Sequence, residues 1–276
     1  MPELPEVETV KRGLIPVLVG RRLTRVILRR SDLRWPLPND FGQRLTNRLV
    51  IAVERRGKFL LIRLDDSTVW ISHLGMSGRF SIYDKEPPPE QAHDHVIVET
   101  DAGVTLRYND PRRFGFMELT NTCELITHPM FVSMGPEPLG QDFTTPILEE
   151  RLKGRTTSIK VALLDQNIVA GIGNIYACEA LHQASISPMR MTGNVRGVRS
   201  ERLHAAIIDV LMRAIEAGGS SLRDHRQPDG ELGYFQHKFM VYGRKEAACL
   251  RCGMGYRIRQ IVQSGRSTFY CSNCQR

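Results

Sequence analysis

The pattern of apolar and polar positions changes twice along the chain. Near the start, Val7, Val10 and Leu14 lie at helical spacing, which predicts one helix that Pro16 ends or kinks. From residue 25 to residue 119 the apolar residues form short β-branched or aromatic runs between turn residues, a pattern typical of antiparallel strands in a sandwich or barrel. These runs lie at 25–30, 49–64, 68–83, 95–99, 104–108 and 114–119.

The second change follows a stretch rich in proline and glycine at 129–146, which predicts a linker. Beyond it the apolar residues recur at helical spacing and indicate a helix that Ser200 caps and Gly218-Gly219 ends. Its apolar stripe comprises Leu203, Ile207, Val210, Leu211, Ala214 and Ile215. We therefore expect a small helical unit at 147–217, followed by a polar loop at 220–233.

The C-terminal region contains two C-x2-C pairs. They consist of Cys249, Cys252, Cys271 and Cys274. Paired knuckles at this spacing are typical of a tetrahedral zinc site, and a site closed by four cysteines supports folding rather than catalysis. We therefore expect one structural Zn2+. Cys123 and Cys178 stand apart from the pairs, and we expect both to be small buried apolar residues.

The composition adds an excess of positive charge. With 38 Lys and Arg against 30 Asp and Glu, the formal charge is +8 and favours a polyanionic partner, although a basic protein without such a partner is the alternative. No apolar run approaches the roughly 18–20 residues of a membrane span, and the first residues lack the core of a signal peptide. We therefore expect no membrane partner and a cytoplasmic location.

The first residues offer candidate covalent chemistry. Removal of Met1 would expose a secondary amine on Pro2, close to the carboxylates of Glu3 and Glu6. An α-amino group has a pKa of about 7.7–8.0, against about 10.4 for lysine, so it is neutral and nucleophilic far more often at neutral pH. Such an amine can attack a carbonyl-like carbon and form a Schiff base. The alternative is a chain start without a function.

Several motifs occur in order along the chain. They are PELPEVET at 2–9, GKF at 57–59, HLGMSG at 73–78, DPRRFG at 110–115, GNIY at 173–176 and the terminal four-cysteine knuckle. Together they resemble the formamidopyrimidine-DNA glycosylases, bacterial enzymes that remove 8-oxoguanine and ring-opened purines from DNA. The resemblance is specific because these separate motifs coincide in one chain.

The resemblance implies a multi-domain α+β fold. It consists of an N-terminal two-layered β-sandwich, a helix-two-turns-helix unit and a C-terminal zinc-finger β-hairpin. The expected domains are 1–128 for the first helix and the sandwich, 129–146 for the linker, 147–233 for the helical domain with a lesion-covering loop, and 234–276 for the hairpin. The implied partner is double-stranded DNA with damaged bases, bound by a monomer.

The resemblance also implies catalytic roles for five residues. Pro2 would attack C1′ of the damaged nucleoside and displace the base, with Glu3 as acid/base residue and Glu6 near the opening sugar. Lys58 matches the lysine linked to lesion handling and proton donation. Arg266 matches the hairpin arginine credited with phosphate contact and δ-elimination. The implied activity is therefore that of a DNA glycosylase and an apurinic/apyrimidinic-site (AP) lyase that cleaves the strand by β- and then δ-elimination.

A second set of residues would contact DNA. A glycosylase must take the target base out of the duplex, and the resemblance assigns Met76, Arg112 and Phe114 to the vacated space. Arg112 would face the orphan cytosine, while Met76 and Phe114 intrude into the base stack. Sequence-independent contacts with the DNA backbone would come from His73, His93, Arg155, Lys160, Asn174 and Tyr242.

Three alternatives remain open from the sequence. An endonuclease VIII-like glycosylase for oxidised pyrimidines shares the Pro-Glu start and the zinc finger. A non-enzymatic zinc-ribbon protein that binds damaged DNA would need neither Pro2 nor Lys58. A zinc-dependent hydrolase is disfavoured because four cysteines leave no open position on the metal. In addition, Ser77 stands where some relatives have Glu, so the resemblance assigns it no contact with the lesion.

Overall fold

The computed structural model describes residues 2–220, 228 and 233–276, which form two compact units. The first unit consists of Met1–Val132 and Ala217–Tyr234, and the second consists of Ser133–Glu216 and Phe235–Arg276. The chain therefore passes from one unit to the other three times. Most of the predicted lesion-covering loop lies outside the described residues. The separation of a helical domain from a hairpin domain stays a prediction.

Two four-stranded antiparallel sheets form the N-terminal sandwich, as predicted. One has the strand order β1-β6-β7-β5 and the other the order β2-β3-β4-β8. The strands are β1 (Leu23–Leu28), β2 (Val50–Arg56), β3 (Phe59–Leu64), β4 (Thr68–His73), β5 (Arg79–Tyr83), β6 (Asp94–Thr100), β7 (Thr105–Asn109) and β8 (Phe116–Asn121). The apolar runs at 49–64 and 68–83 each consist of two strands with a turn between them, and these two turns carry candidate site residues.

Helix α1 (Leu4–Leu18) and the short helix α2 (Phe41–Leu45) belong to the same unit. Val7, Val10 and Leu14 are fully buried in one apolar cluster with residues of both sheets. Burial of this face stabilises the helix more than its intrinsic propensity does. The helix does not end at Pro16 but continues to Leu18, which is buried like Leu14, and the Val19 amide after it still donates to the Ile15 carbonyl oxygen.

The second unit contains four α-helices and a small sheet. The helices are α3 (Thr145–Leu152), α4 (Ile159–Leu163), α5 (Asn174–Gln183) and α6 (Val198–Glu216). The sheet is antiparallel and consists of β9 (Ala248–Cys249), β10 (Gly253–Gln263) and β11 (Arg266–Cys271). The predicted apolar stripe of α6 is buried throughout. None of the helices in the described part of the chain has the length and apolar content needed to span a bilayer.

The two cysteines outside the C-x2-C pairs differ in their surroundings. Cys178 is fully buried in α5, as predicted. Cys123 is exposed, so the prediction that it is buried is wrong. It lies in a 3₁₀ turn after β8, where its thiol donates to the Asn121 side chain. A cysteine in an exposed turn does not pack into the core, and composition alone does not reveal this.

Candidate functional site

The start of α1 places Pro2 beside two buried carboxylates. Pro2 is buried, and Glu3 and Glu6 are nearly inaccessible to solvent. The Glu3 amide donates to Glu6 Oε2 at 2.9 Å, which caps the first turn of the helix. Glu6 Oε1 accepts from both the amide and the hydroxyl of Ser220, each at 2.8 Å. The Glu6 carboxylate therefore joins the start of the chain to the first residue of the predicted lesion-covering loop.

Lys58 lies in the tight turn between β2 and β3. The Arg55 side chain donates to Glu8 Oε2 in α1 and to the Gly57 carbonyl oxygen, both at 3.0 Å, and therefore joins this turn to the helix. Lys11 also pairs with Glu8, at 2.7 Å. Burial raises the pKa of Glu8, but hydrogen bonds and charge attraction from Lys11 and Arg55 outweigh it and lower that pKa. Lys58 itself is buried, with a small exposed fraction.

His73 ends β4 and belongs to the same part of the sandwich as Lys58. The residue next to Lys58, Phe59, is its partner in the β3–β4 register. The imidazole stacks on Phe116, with ring centroids 5.1 Å apart, and its Nδ1 accepts the Gly75 amide at 3.1 Å. Burial, with repulsion from Lys58 and Arg34, lowers the pKa of His73 to about 4. The ring is therefore neutral at pH 7, with its proton on Nε2.

The two turns that carry Met76, Arg112 and Phe114 are joined by a buried hydrogen-bond network. We call this network the clasp; it consists of Ser77, Tyr108 and Asp110. The Ser77 hydroxyl donates to Asp110 Oδ1 at 2.5 Å, and the Tyr108 hydroxyl donates to Oδ2 at 3.4 Å. Asp110 Oδ2 also accepts the Gly115 amide at 2.8 Å, and Ser77 Oγ accepts the Arg112 amide at 3.2 Å.

The backbones of these turns approach so closely that side chains are excluded. Gly75 has φ +64°, and a Cβ at this position would overlap the Phe114 carbonyl group and the Gly115 amide. Burial, with the negative charge of Asp110, raises the pKa of Tyr108 well above its ordinary value, so its hydroxyl remains protonated. The clasp therefore has fixed donors and acceptors, and it holds the two turns as one unit.

The predicted wedge side chains extend from this rigid base into solvent. Met76 is 39% exposed and Phe114 is 43% exposed. The guanidinium carbon of Arg112 lies 4.7 Å from the centre of the Phe114 ring, a cation–π contact that orients both side chains. The exposed His93 lies next to the clasp, because its carbonyl oxygen accepts the Asp110 amide. Four predicted DNA contacts of the first unit therefore surround the clasp.

In the second unit, helix α5 contacts the hairpin. Asn174, its first residue, donates through Nδ2 to the Ser267 carbonyl oxygen at 2.8 Å, next to the exposed Arg266. The hairpin turn before Arg266 has positive φ at Ser264 and Gly265, as expected for a two-residue turn that matches the twist of the strands. These contacts bring two predicted site residues, Asn174 and Arg266, close together.

The other predicted DNA contacts of this unit differ in their exposure to solvent. Tyr242 is partly buried, with its ring centroid 5.1 Å from that of Phe269. Arg155 is exposed and pairs with Asp165 at 2.8 Å. Lys160, in α4, is fully buried rather than displayed on a surface. Its role in phosphate contact therefore stays a prediction from the family resemblance.

Glu179 is a residue that the sequence analysis missed. Its buried carboxylate accepts the backbone amides of three consecutive residues, 240–242, at distances between 2.8 and 3.0 Å. Burial raises the pKa of Glu179, although these amides oppose the change. The available signal was an acid in the otherwise apolar segment 175–181 of α5, since a carboxylate at such a position needs several donors.

The four predicted zinc ligands form one cluster. Their Sγ atoms all lie within 4.8 Å of one another. Cys249 Sγ lies 3.9 Å from Cys274 Sγ, and Cys252 Sγ lies 3.8 Å from Cys271 Sγ. A zinc ion held tetrahedrally by sulfurs at about 2.3 Å requires separations of about 3.8 Å, so the cluster fits one Zn2+. Despite its burial, nearby backbone amides lower the pKa of the Cys249 thiol to about 7, whereas burial and the neighbouring thiols raise the pKa of Cys274. The four thiols would therefore release their protons as the metal binds.

Three family models and several named proteins match this chain. The family model described as "Formamidopyrimidine-DNA glycosylase N-terminal domain" matches residues 1–117, its "H2TH domain" counterpart matches 134–226, and "Zinc finger found in FPG and IleRS" matches 248–276. The proteins named formamidopyrimidine-DNA glycosylase from Dinoroseobacter shibae and Beijerinckia indica are 52% and 54% identical, with full coverage of both chains.

Solved structures match the fold over nearly the whole chain. The MutM (Fpg) protein of Thermus thermophilus is 39% identical with a TM-score of 0.87, covering 99% of this chain and 98% of its own. Lactococcus lactis Fpg in complex with DNA that contains an abasic site is 34% identical with a TM-score of 0.90, covering 99% of each chain. On these matches, the chain belongs to the formamidopyrimidine-DNA glycosylase family.

Proposed function

We propose that this protein is a DNA glycosylase and AP lyase of base excision repair that excises oxidised purines such as 8-oxoguanine and formamidopyrimidines. The observation that carries the proposal is the placement of Pro2 beside the buried carboxylates of Glu3 and Glu6. Its substrate would be damaged double-stranded DNA, in line with the L. lactis Fpg complex that contains Fapy-dG DNA. The protein would act as a monomer on nucleoid DNA in the cytoplasm.

The first chemical step is displacement of the damaged base. The neutral Pro2 nitrogen attacks C1′ of the lesion nucleoside, a new C–N bond forms, and the glycosidic bond breaks with its electron pair on the base. Glu3 serves as the acid/base residue, and Glu6 lies near the sugar ring as it opens. The new ammonium nitrogen then loses its proton, and the ring oxygen leaves C1′ and gains a proton, which leaves an iminium ion, a cationic Schiff base, between Pro2 and the opened deoxyribose.

The second step is cleavage of the strand. The positive charge of the Schiff base acidifies a hydrogen on C2′, and its removal expels the 3′ phosphate by β-elimination. A further elimination expels the 5′ phosphate. Lys58 would supply a proton during lesion handling, and Arg266 would assist the second elimination. Zinc supplies no chemistry in this scheme; it holds the hairpin that carries Arg266.

Recognition requires that the base leave the duplex. Met76 and Phe114 are exposed apolar side chains on a rigid base, as an intercalating wedge requires. Arg112 has the hydrogen-bond donors to pair with the orphan cytosine. His73, neutral and donating through Nε2, would bind a phosphate by a hydrogen bond rather than by charge.

Borohydride trapping tests the proposal. The full chain is incubated with a duplex that carries 8-oxoguanine opposite cytosine, reduced with borohydride, and digested for mass spectrometry. We expect a covalent adduct of the deoxyribose on the peptide that begins with Pro2. An adduct found only on an internal lysine would contradict the assignment of the nucleophile.

Matched variants separate the alternatives. Glu3→Gln preserves the size of the side chain and should bind the duplex while giving little adduct. A protein that binds the lesion but never forms an adduct would be the non-enzymatic binder. Faster excision of an oxidised pyrimidine than of 8-oxoguanine, in otherwise identical duplexes, would favour the endonuclease VIII-like alternative.

A further inference from the structure

A buried histidine lies directly against the cysteine cluster. His182 belongs to the last turn of α5 and is 1% exposed. Its Nε2 lies 3.6 Å from Cys274 Sγ and 3.9 Å from Cys249 Sγ, within hydrogen-bond range for sulfur. The four cysteines already complete the coordination of a tetrahedral zinc ion, so this imidazole is not needed as a ligand.

The surroundings determine which ring nitrogen carries the proton. Zinc-bound cysteines are thiolates, which only accept hydrogen bonds, so Nε2 must be the donor toward Cys249 and Cys274. The other nitrogen, Nδ1, is buried and has no hydrogen-bond partner among the described residues. The tautomer with hydrogen on Nδ1 would leave that donor without an acceptor and would direct the Nε2 lone pair at two negatively charged sulfurs. The tautomer with hydrogen on Nε2 avoids both costs.

We propose that His182 is a positioning residue of the zinc site, which donates its Nε2–H to the thiolates of Cys274 and Cys249. Four thiolates around one Zn2+ have a net charge of −2, and N–H donors reduce the electron density on the sulfurs without replacing the metal. The pair formed by the other two cysteines has its own donor, since Asn273 Nδ2 lies 3.4 Å from Cys252 Sγ. Both halves of the cluster therefore receive a side-chain N–H.

The position of His182 gives the contact a structural consequence. Helix α5 binds the hairpin at its other end through Asn174 and Ser267, and between these ends Glu179 accepts the amides of residues 240–242. His182 thus connects the C-terminal end of the same helix to the four-cysteine cluster. The proposal concerns metal retention alone and holds whether or not Pro2 is the nucleophile.

Zinc transfer to a chromogenic chelator provides the test, with the full-length zinc-loaded protein and no DNA. His182→Phe keeps a ring of similar size and removes the donor, so its zinc affinity should fall by about 10–100-fold. His182→Gln keeps an N–H and should bind zinc more tightly than His182→Phe. The control is His204→Phe, which removes another imidazole of the same unit, bonded to the Phe143 carbonyl oxygen, and should not change zinc affinity.

A spectroscopic measurement separates hydrogen bonding from packing. With Co2+ in the site, loss of an N–H donor to sulfur should shift the sulfur-to-metal charge-transfer band of His182→Phe to lower energy, with a smaller shift for His182→Gln. Wild-type zinc affinity and an unshifted band in His182→Phe would overturn the proposal. Equal zinc loss in the Phe and Gln variants, with unshifted bands in both, would also overturn it, because packing alone would then explain the loss.

Discussion

The clasp of the first unit and the zinc hairpin of the second both hold exposed side chains in fixed positions, but by different means. The clasp consists of buried polar groups beside a large apolar cluster that includes Trp70, Phe41 and Phe80. Among the described residues, the apolar cluster that contains the hairpin has six buried members; two of them are the zinc ligands Cys249 and Cys271, and Cys178 comes from α5. A region with a large core can rigidify its turns by hydrogen bonds, whereas a region with few apolar residues depends on a metal.

Removal of zinc should have the largest effect and should separate the two regions. Both tryptophans, Trp35 and Trp70, belong to the first unit, so their fluorescence reports on that unit alone. Chelation or Cys271→Ser should abolish zinc binding, amide protection of the hairpin and tight DNA binding, while tryptophan emission stays unchanged. Stoichiometric zinc and normal duplex affinity in Cys271→Ser would contradict the structural role of the metal.

Loss of the central acid of the clasp should have the next largest effect. Asp110→Ala leaves buried donors of Ser77, Tyr108 and Gly115 without their acceptor, and we expect it to lower the free energy of unfolding by about 3 kcal/mol. Urea unfolding followed by tryptophan fluorescence measures this change. Asp84→Ala, in an exposed loop, is the control, and zinc content should be normal in both variants.

The third prediction separates the roles of two side chains on the turns that the clasp joins, Arg112 and Met76. Arg112→Ala removes hydrogen-bond donors to the orphan cytosine, so the preference for cytosine over adenine should fall by about tenfold, within the roughly 1–3 kcal/mol of such contacts. Met76→Ala removes only apolar surface and should slow excision for every opposing base alike. Excision assays on four duplexes that differ in the opposing base measure both. Unchanged preference in Arg112→Ala would contradict this division of roles.

The last prediction concerns pH. The pKa of His73 is about 4 in the folded protein, against 6.5 for an unperturbed imidazole. The unfolded chain therefore binds the proton first, and the free energy of unfolding should decline as pH falls from 6.5 toward 4. His73→Gln removes this contribution and should make the decline shallower in urea titrations at several pH values. An identical decline in both proteins would show that His73 is not buried as a neutral ring.

Local patterns predicted the elements but not the contacts that join them. The spacing of Val7, Val10 and Leu14 predicted α1, and the cysteine spacing predicted the metal cluster, because both signals lie within short segments. Ser77 and Asp110 are 33 positions apart, and neither has a sequence signature of burial. Glu179 was missed for the same reason, since its partners lie some sixty residues further along the chain. Polar side chains become buried through such long-range contacts, to which periodicity is insensitive.

The return of the chain to the first unit has a consequence for biosynthesis. Two of the hydrogen bonds that Glu6 accepts come from Ser220, a residue synthesised 214 positions later. At about 5–20 residues per second, a ribosome needs on the order of 10–40 s to cover that distance. During this interval the start of α1 lacks the hydrogen bonds from Ser220 to Glu6. Removal of Met1, which the proposed chemistry requires, is therefore easiest on the nascent chain, before the fold buries Pro2.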